Sequence, residues 1–339
     1  MRRKLVLVLS LFGLLAVAGG GYVAWETARP HRGWRKAVFV QLPPGASTRA
    51  IAARLRDAGV LRRQWPFLLL HYVRPRLTLK AGEYYFDQPV SPRDVIWKLR
   101  RGDVYLHAVT VPEGLTLFET AQALASTGLA TAEEVQQAFL DPAPIAGIAP
   151  GAVNLEGYLF PDTYHFSRPV TARQITAAMV KRFRSVYEEL GRRHQPVRAV
   201  AETVTMASLV EKETGVAAER PLVASVFYNR LAIGMPLQCD PTVVYAAILA
   251  GRYRGTIYRS DLAFDSPYNT YKHPGLPPGP IANPGRASLE AAMAPATTSY
   301  LFFVSDGNGT HRFSTTMAEH DRAVAEYRRS TAARPRTRQ

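Results

Sequence analysis

From Leu5 to Trp25 the chain carries no charged residue, and no other stretch constrains its fold so tightly. About 20 such residues in a helix span the hydrocarbon core of a bilayer. A secretory signal is the competing reading, with Ala16-Val17-Ala18 as a small-residue cleavage site after a shorter apolar core. The run has the full length of a span, which favours a retained anchor. Basic residues flank it on both sides: Arg2, Arg3 and Lys4 before, Arg29, Arg32, Arg35 and Lys36 after. The positive-inside rule therefore gives no orientation. Little chain precedes the span, so the folded mass is expected beyond it and exported. The only cysteine, Cys239, is too far from the amino terminus for a lipoprotein.

The roughly 300 residues that follow are nearly half apolar, enough for two or three folded units. Net charge is +15, mostly from arginine. No arginine cluster is interleaved with aromatics in a nucleic-acid motif, so no nucleic-acid partner is expected. The charge suits anionic lipid or an anionic polymer instead. One cysteine rules out an internal disulfide, and Cys239 reads as a small buried residue. The histidines are scattered and no His-Glu-x-x-His helix is present, so neither a metal site nor a cofactor is expected.

An internal repeat organises the amino-terminal half. Residues 43–60 align without gaps on residues 112–129. Each copy has an extended apolar stretch before it (Val38 to Leu42; Ala108 to Val111) and a Pro/Gly turn. A capping hydroxyl follows (Ser47; Thr116), then a helix closed by Gly59 or Gly128. The first copy continues through a helix over 65–73, a strand over 81–86 and a helix over 91–100. That order resembles the LysM-like glycan-binding module with one helix added; a plain spacer remains the alternative. The expected fold is α+β: anchor over 1–28, linker 29–37, LysM-like module 38–105, mixed helical and β catalytic domain 106–331, and a basic disordered tail 332–339.

Within the second region, Asn154-Leu-Glu-Gly-Tyr-Leu-Phe-Pro-Asp-Thr-Tyr164 is dense in aromatics. Such a block is ordinarily core, but beside polar groups it also suits a platform for sugar rings, with Tyr158 among them. Glu156 and Asp162 are candidates for positioning neighbouring groups, against capping or turn duty. Further on, Met206-Ala-Ser-Leu-Val-Glu-Lys-Glu-Thr-Gly215 reads as the end of an apolar helix closed by glycine. At about 100° per residue, Val200, Val204 and Ala207 fall within roughly 40° of Glu211, while Glu202 and Glu213 fall opposite. A carboxyl in that apolar stripe is expected to hold its proton and to serve as an acid.

Pro221 starts the next helix, with Leu222, Val226 and Leu231 on one face and Val223 and Phe227 beside them. Asp240 precedes Pro241 in the arrangement of a helix N-cap followed by proline, carrying Gln238 and Thr242 toward the same rim. Residues 266–285 are too rich in Pro and Gly for helix or central strand. They carry Tyr268, Asn269, Thr270, Tyr271 and Asn283, all able to bond sugar hydroxyls or amides, and read as a cleft wall. A helix over 288–294 and a hairpin around Asp306-Gly-Asn-Gly309 close the fold.

Five blocks, in order, resemble the endolytic murein transglycosylase (YceG-like) family. They are residues 155–164, 207–214, 223–231, 237–243, and 268–271 with 275–285. Cys239 departs from the Thr or Ser more usual there. The resemblance places the family's catalytic glutamate on Glu211, in agreement with the helical-face argument. It implies cleavage of peptidoglycan between N-acetylmuramic acid and N-acetylglucosamine, leaving a 1,6-anhydro end, on nascent strands. The partners it implies are glycan strands, the membrane and peptidoglycan synthases. The location it implies is the bacterial cytoplasmic membrane, single-pass, with the catalytic domain on the outer side. A hydrolytic muramidase would need a second carboxylate about 5–10 Å away, and Glu219, Asp240 and Glu156 are the candidates. A non-catalytic wall-binding division or elongation protein is the third reading.

Overall fold

The computed structural model describes residues 2–73, 78–194 and 198–332. The tail expected from 332 onward lies, past Ala332, outside the described residues. The chain is α+β and divides into two units, 1–108 with 165–170, and 109–164 with 171–339.

The first unit begins with α1 (Arg2–Ala28), of which Arg3–Ala28 is long and apolar enough to cross a membrane. Its leucines and valines from Leu5 to Val17 are exposed, and only at its foot do Glu26 and Thr27 become buried. There α1 packs on two helices of the unit, α3 and α4, in the sequence β1 (Val38–Leu42), α2 (Thr48–Asp57), α3 (Trp65–Tyr72), β2 (Gly82–Phe86) and α4 (Pro92–Arg101). Strands β1 and β2 pair antiparallel, Val38 opposite Phe86 and Leu42 opposite Gly82. Inward side chains of this pair, Val40, Leu42, Tyr84 and Phe86, meet Ile51 and Leu55 of α2, Phe67 of α3 and Val95 and Leu99 of α4. Helix starts are fixed as the hydroxyls foretell: Ser47 accepts from the Ala50 N–H, and Ser91 forms a capping box with Asp94. Residues 165–170 belong to the same unit, where the Glu83 N–H donates to Ser167 Oγ at 3.1 Å.

The chain enters the second unit inside β3 (His107–Thr110), which pairs with β4 (Thr163–Phe166). Between them lie α5 (Leu117–Ala125), started by a Thr116–Glu119 capping box, and α6 (Ala132–Phe139). Then come α7 (Ala172–His194), α8 (Val200–Glu213), α9 (Arg220–Ala232), α10 (Asp240–Leu249), the short α11 (Arg259–Leu262) and α12 (Arg286–Met293). The hairpin of β5 (Phe302–Ser305) and β6 (His311–Ser314) pairs Phe302 with Ser314, and α13 (Met317–Ala332) packs on it. The buried core of the unit is the bundle in which α8 lies against α9 and α12, and α12 against α7. Residues 266–285 form neither helix nor strand, as their prolines require.

The structure decides between the two readings of the 154–164 block and shows which face of α9 is buried. The 154–164 block is core: Tyr158 is buried and meets Phe183 edge-on at 5.2 Å, and Leu155, Leu159 and Phe160 are buried with it. No exposed platform remains for sugar rings on Tyr158. On α9 the buried residues are Arg220, Val223, Ala224, Ser225, Val226, Phe227 and Arg230, while Leu222 and Leu231 are only half-buried. The Arg230 guanidinium takes the inward place because three carbonyls await it, those of Leu301, Pro236 and Leu237.

A close backbone approach within the buried core lies at Gly157, whose φ is 85°. A Cβ there would come within 2.5 Å of the Pro280 ring and 2.8 Å of Val204 on α8. Gly157→Ala is therefore expected to lower stability by more than about 2 kcal/mol, combining left-handed strain with overpacking. The urea midpoint of unfolding measures it, and a shift smaller than that of a surface Gly→Ala control such as Gly147→Ala would refute the packing argument.

Candidate active site

Near the C-terminal end of α8, Glu211 turns its side chain inward, 6% exposed. Val204 and Ala207 on the same face are buried, as the helical wheel requires. The carboxylate head, however, is met by donors rather than by an apolar wall. Arg220 Nη2 lies 3.3 Å from Oε1, and the Gly285 N–H donates to Oε2 at 3.0 Å. The Arg220 side chain is itself only 10% exposed, and its buried Nε finds no acceptor among the described residues. A second carboxylate reaches the same guanidinium: Glu113 Oε2 is 3.9 Å from Arg220 Nη2. Partial burial raises the Glu113 carboxyl above its usual range, the charge of Glu211 adds to this, and Arg220 opposes it.

The loops carrying these groups are fixed from behind. Lys212 Nζ donates to the Gly114 carbonyl at 3.0 Å, so the residue after Glu211 pins the turn after Glu113. That turn needs glycine: φ at Gly114 is 75°, and its Cα side faces the Glu211 methylene. Gly285 needs to be glycine for space, because a Cβ there would fall within the Glu113 carboxyl group. Asn283 joins the two loops, accepting from the Gly157 and Leu159 N–H groups at 2.9 and 3.1 Å and donating to the Leu115 carbonyl at 3.0 Å.

Glu156 is buried behind this arrangement. Its two oxygens accept from the Leu117 N–H at 3.0 Å, at the start of α5, and one accepts from Tyr245 Oη at 3.1 Å. Burial pushes its carboxyl up to about 8, against the pull of those bonds. Asp162 pairs with Arg182 at 2.6 Å and accepts from the Thr163 N–H.

Other sequence candidates are spent on the protein itself. Asn269 donates to the carbonyls of Leu262 and Phe264, and its Oδ1 accepts from the Tyr271 N–H. Thr270 Oγ1 accepts from the Cys239 N–H and meets Thr242 Oγ1 at 2.9 Å, both hydroxyls buried. Asn269, Thr270 and Asn283 thus hold the 266–285 segment in shape, and their buried polar atoms do not line an open wall. Tyr268 is half-buried, its ring tilted against that of Tyr245 with centroids 5.0 Å apart. Asp240 is not an N-cap: it is the first residue of α10, Cys239 precedes it without a side-chain cap, and Asp240 Oδ1 accepts from Tyr271 Oη at 2.6 Å. Gln238 is exposed beside it with φ of 49°.

The three carboxylates named for a hydrolase are each hydrogen-bonded within the protein. Glu219 accepts from the His311 N–H and meets His311 Nδ1 at 2.7 Å, and Glu156 and Asp240 are engaged as above. The carboxylate beside Glu211 is Glu113, which sequence reasoning passed over, along with Arg220 and Gly285. A signal existed: Glu113 stands in the repeat where the first copy has Pro44. Glu213 points elsewhere, with burial raising its carboxyl and the Cys239 thiol bonded to it. Burial likewise raises the Cys239 thiol well above its ordinary value, which disfavours the thiolate. Among the described residues no three His, Cys, Asp or Glu side chains group as a metal site would require.

Glu156 makes stability depend on pH. Its folded value, about 8, lies above the ordinary 4.5, so the contribution of its neutral form is complete below about 4.5 and is lost as pH rises through about 8. Wild type is expected to lose stability relative to Glu156→Gln between about pH 5 and about pH 8. Urea titrations across that window measure it, and parallel curves for the two proteins would refute the assignment.

The profile of the YceG-like family matches residues 40–326, a span that contains every group around Glu211. An endolytic murein transglycosylase of Bacillus subtilis is 38% identical over 307 residues, 86% of this chain and 84% of its own length. Another, from Streptococcus pneumoniae, is 30% identical over 363 aligned residues, covering 96% of this chain and 65% of the relative. The crystal structure of a YceG-like protein from Listeria monocytogenes is similar with a TM-score of 0.56 at 33% identity, over 85% of this chain and 99% of that one. With the profile spanning both folded units and these relatives covering most of its length, the chain belongs to the YceG-like family.

Proposed function

We propose that this protein is an endolytic lytic transglycosylase of peptidoglycan, held by α1 in the bacterial cytoplasmic membrane with both folded units on the outer side. The observation that carries the reading is Glu211, a nearly buried carboxylate on a rigid helix, oriented by the Arg220 guanidinium and the Gly285 N–H. Protonated Glu211 donates to the oxygen linking N-acetylmuramic acid to N-acetylglucosamine as the C1–O bond breaks through an oxocarbenium-like state. The resulting carboxylate takes the proton of the muramyl C6 hydroxyl, whose oxygen closes on C1 to give the 1,6-anhydro end. No water is consumed and Glu211 ends protonated. Glu113 shares Arg220 with Glu211, and partial burial together with the Glu211 charge raises its carboxyl. The strand-helix-helix-strand order of the first unit supports a LysM-like module that guides nascent glycan strands toward this site, beside peptidoglycan synthases.

One observation favours a second reading. Glu113 gives Glu211 the neighbouring carboxylate that a two-carboxylate hydrolase needs. The product decides, since a hydrolase adds one water to each new end. Full-length protein in detergent, incubated with purified peptidoglycan, is expected to release muropeptides of anhydro mass, and products heavier by one water would establish the hydrolase.

Glu211→Gln is expected to abolish that product, losing at least the roughly 10²–10⁴-fold that general acid–base catalysis supplies, with glycan binding and thermal unfolding unchanged. Glu113→Gln is expected to lose less and to keep the anhydro mass. If instead Glu113→Gln falls as far as Glu211→Gln, the acid is Glu113.

The anchor is tested separately. The full-length chain is expected to stay with membranes through high-salt and alkaline washing, because hydrocarbon burial is not screened by salt. A shorter mature form beginning near Gly19 in the soluble fraction would establish a cleaved signal instead.

A further inference from the structure

The arginines that follow the apolar run are not used by the chemistry at Glu211, yet two parts of the first unit bring some of them together. At the foot of α1 a cavity of about 290 Å³ is lined by Glu26, Arg29, His31, Arg62, Arg63 and Pro66 among others. Arg29 comes from the end of the helix, and Arg62 and Arg63 from the loop before α3, where both are exposed. We propose that this cavity binds the phosphate of an anionic phospholipid headgroup. The proposal rests on the reading of α1 as a membrane anchor and goes beyond it, since an anchor alone needs no headgroup site.

Depth is the first argument. Tyr22 and Trp25 are half-exposed on α1 and stand where aromatic residues mark the membrane interface. At 1.5 Å per residue Arg29 lies about 6 Å beyond Trp25, in the layer of the lipid phosphates. The second argument is preorganisation. The Arg29 guanidinium stacks on the Trp25 ring at 4.6 Å, Arg63 Nη1 donates to Tyr22 Oη at 3.0 Å, and Tyr22 stacks on Trp65 of α3 at 6.1 Å. The His31 backbone is held by reciprocal bonds with Val90, so the loop that closes the cavity is fixed.

Charge is the third. Three guanidiniums face one carboxylate, Glu26, which accepts from Tyr22 Oη at 3.4 Å. Burial, with Arg62 and Arg29 adding to it, lowers the His31 imidazole below its ordinary value. Among the described residues the ion pairs include none to Arg29, Arg62 or Arg63. Their forked donors match a phosphate diester, and the cavity admits one headgroup.

The test uses full-length protein in nanodiscs of phosphatidylcholine containing a minority of phosphatidylglycerol, with lipid retained after mild detergent extraction counted by native mass spectrometry. Wild type is expected to keep phosphatidylglycerol in preference to phosphatidylcholine. Arg62→Gln with Arg63→Gln should reduce that retention by at least about fivefold, as two charge-assisted donors are lost. Arg32→Gln with Arg35→Gln removes the same charge from the loop outside the cavity and should retain it as wild type does. Equal losses in the two double variants, wild-type retention in the first, or displacement of the lipid by excess inorganic phosphate would each overturn the site. If the wild-type chain itself leaves membranes on alkaline washing, the anchor fails and the site with it; if it stays but does not discriminate between the lipids, the headgroup site alone fails.

Discussion

The buried carboxamide of Asn283 is the interaction on which the candidate site depends. Its oxygen accepts two backbone N–H groups of the 157–159 turn, and its nitrogen donates to the Leu115 carbonyl. Its own backbone N–H donates to the Leu115 carbonyl too, and its carbonyl accepts from Gly114. Three segments far apart in sequence are thereby fixed with almost every polar atom of one residue satisfied. Two residues on is Gly285, whose N–H holds Glu211; one residue before Gly114 is Glu113. Leaving such buried donors and acceptors unpaired costs about 1–3 kcal/mol each, so the carboxylate pair is held by a clamp that has no weak member.

A raised pKa alone does not single out this site, since it is shared by Glu113 within it and by Glu156 and Glu213 elsewhere. The most displaced carboxyl given a value, Glu156 at about 8, is buried at the start of α5, where its oxygens accept from Leu117 and Tyr245. Glu213 is raised too, yet its neighbours are Cys239 and Asp240. Both are consequences of burial within a packed unit. What distinguishes Glu211 and Glu113 is the combination of a nearly buried guanidinium, a backbone N–H and a route to solvent, since the Glu113 side chain is 48% exposed. Partner chemistry and access, more than desolvation, mark where a substrate can be protonated.

Local pattern made much of the fold legible. Ser47, Ser91 and Thr116 cap the helices they precede, β1 alternates as its residues do, and the prolines of 266–285 exclude regular structure. The inward face of Glu211 followed from a 3.6-residue period. Its donors did not, because Arg220 comes from the next helix and Gly285 from a segment seventy-odd residues on; no local period reports such a meeting. The same limit explains Asn269, Thr270 and Asn283. Their side chains look suited to sugars, but an irregular segment must satisfy its own backbone before it can bind anything, and these residues do that. Arg230 shows the reverse case, a charge placed on the inner face of α9 because loop carbonyls there need donors.

The repeat separates scaffold from chemistry within one chain. Gly45 and Gly114 adopt the same left-handed turn, with φ of 76° and 75°, and Gly59 and Gly128 close the two helices at 75° and 67°. Both copies start their helix with a hydroxyl that accepts a backbone N–H. Backbone conformation at the turn is therefore common to both, and the difference lies in one side chain. Where the first copy has Pro44, which can neither ionise nor donate, the second has Glu113, set by the turn against Arg220. The turn presents the residue before its glycine outward from the strand end, and in the second copy that presentation meets Gly285, whose missing side chain leaves room for the carboxyl. One side chain in the turn and one glycine opposite it thus bring the second copy to the candidate site.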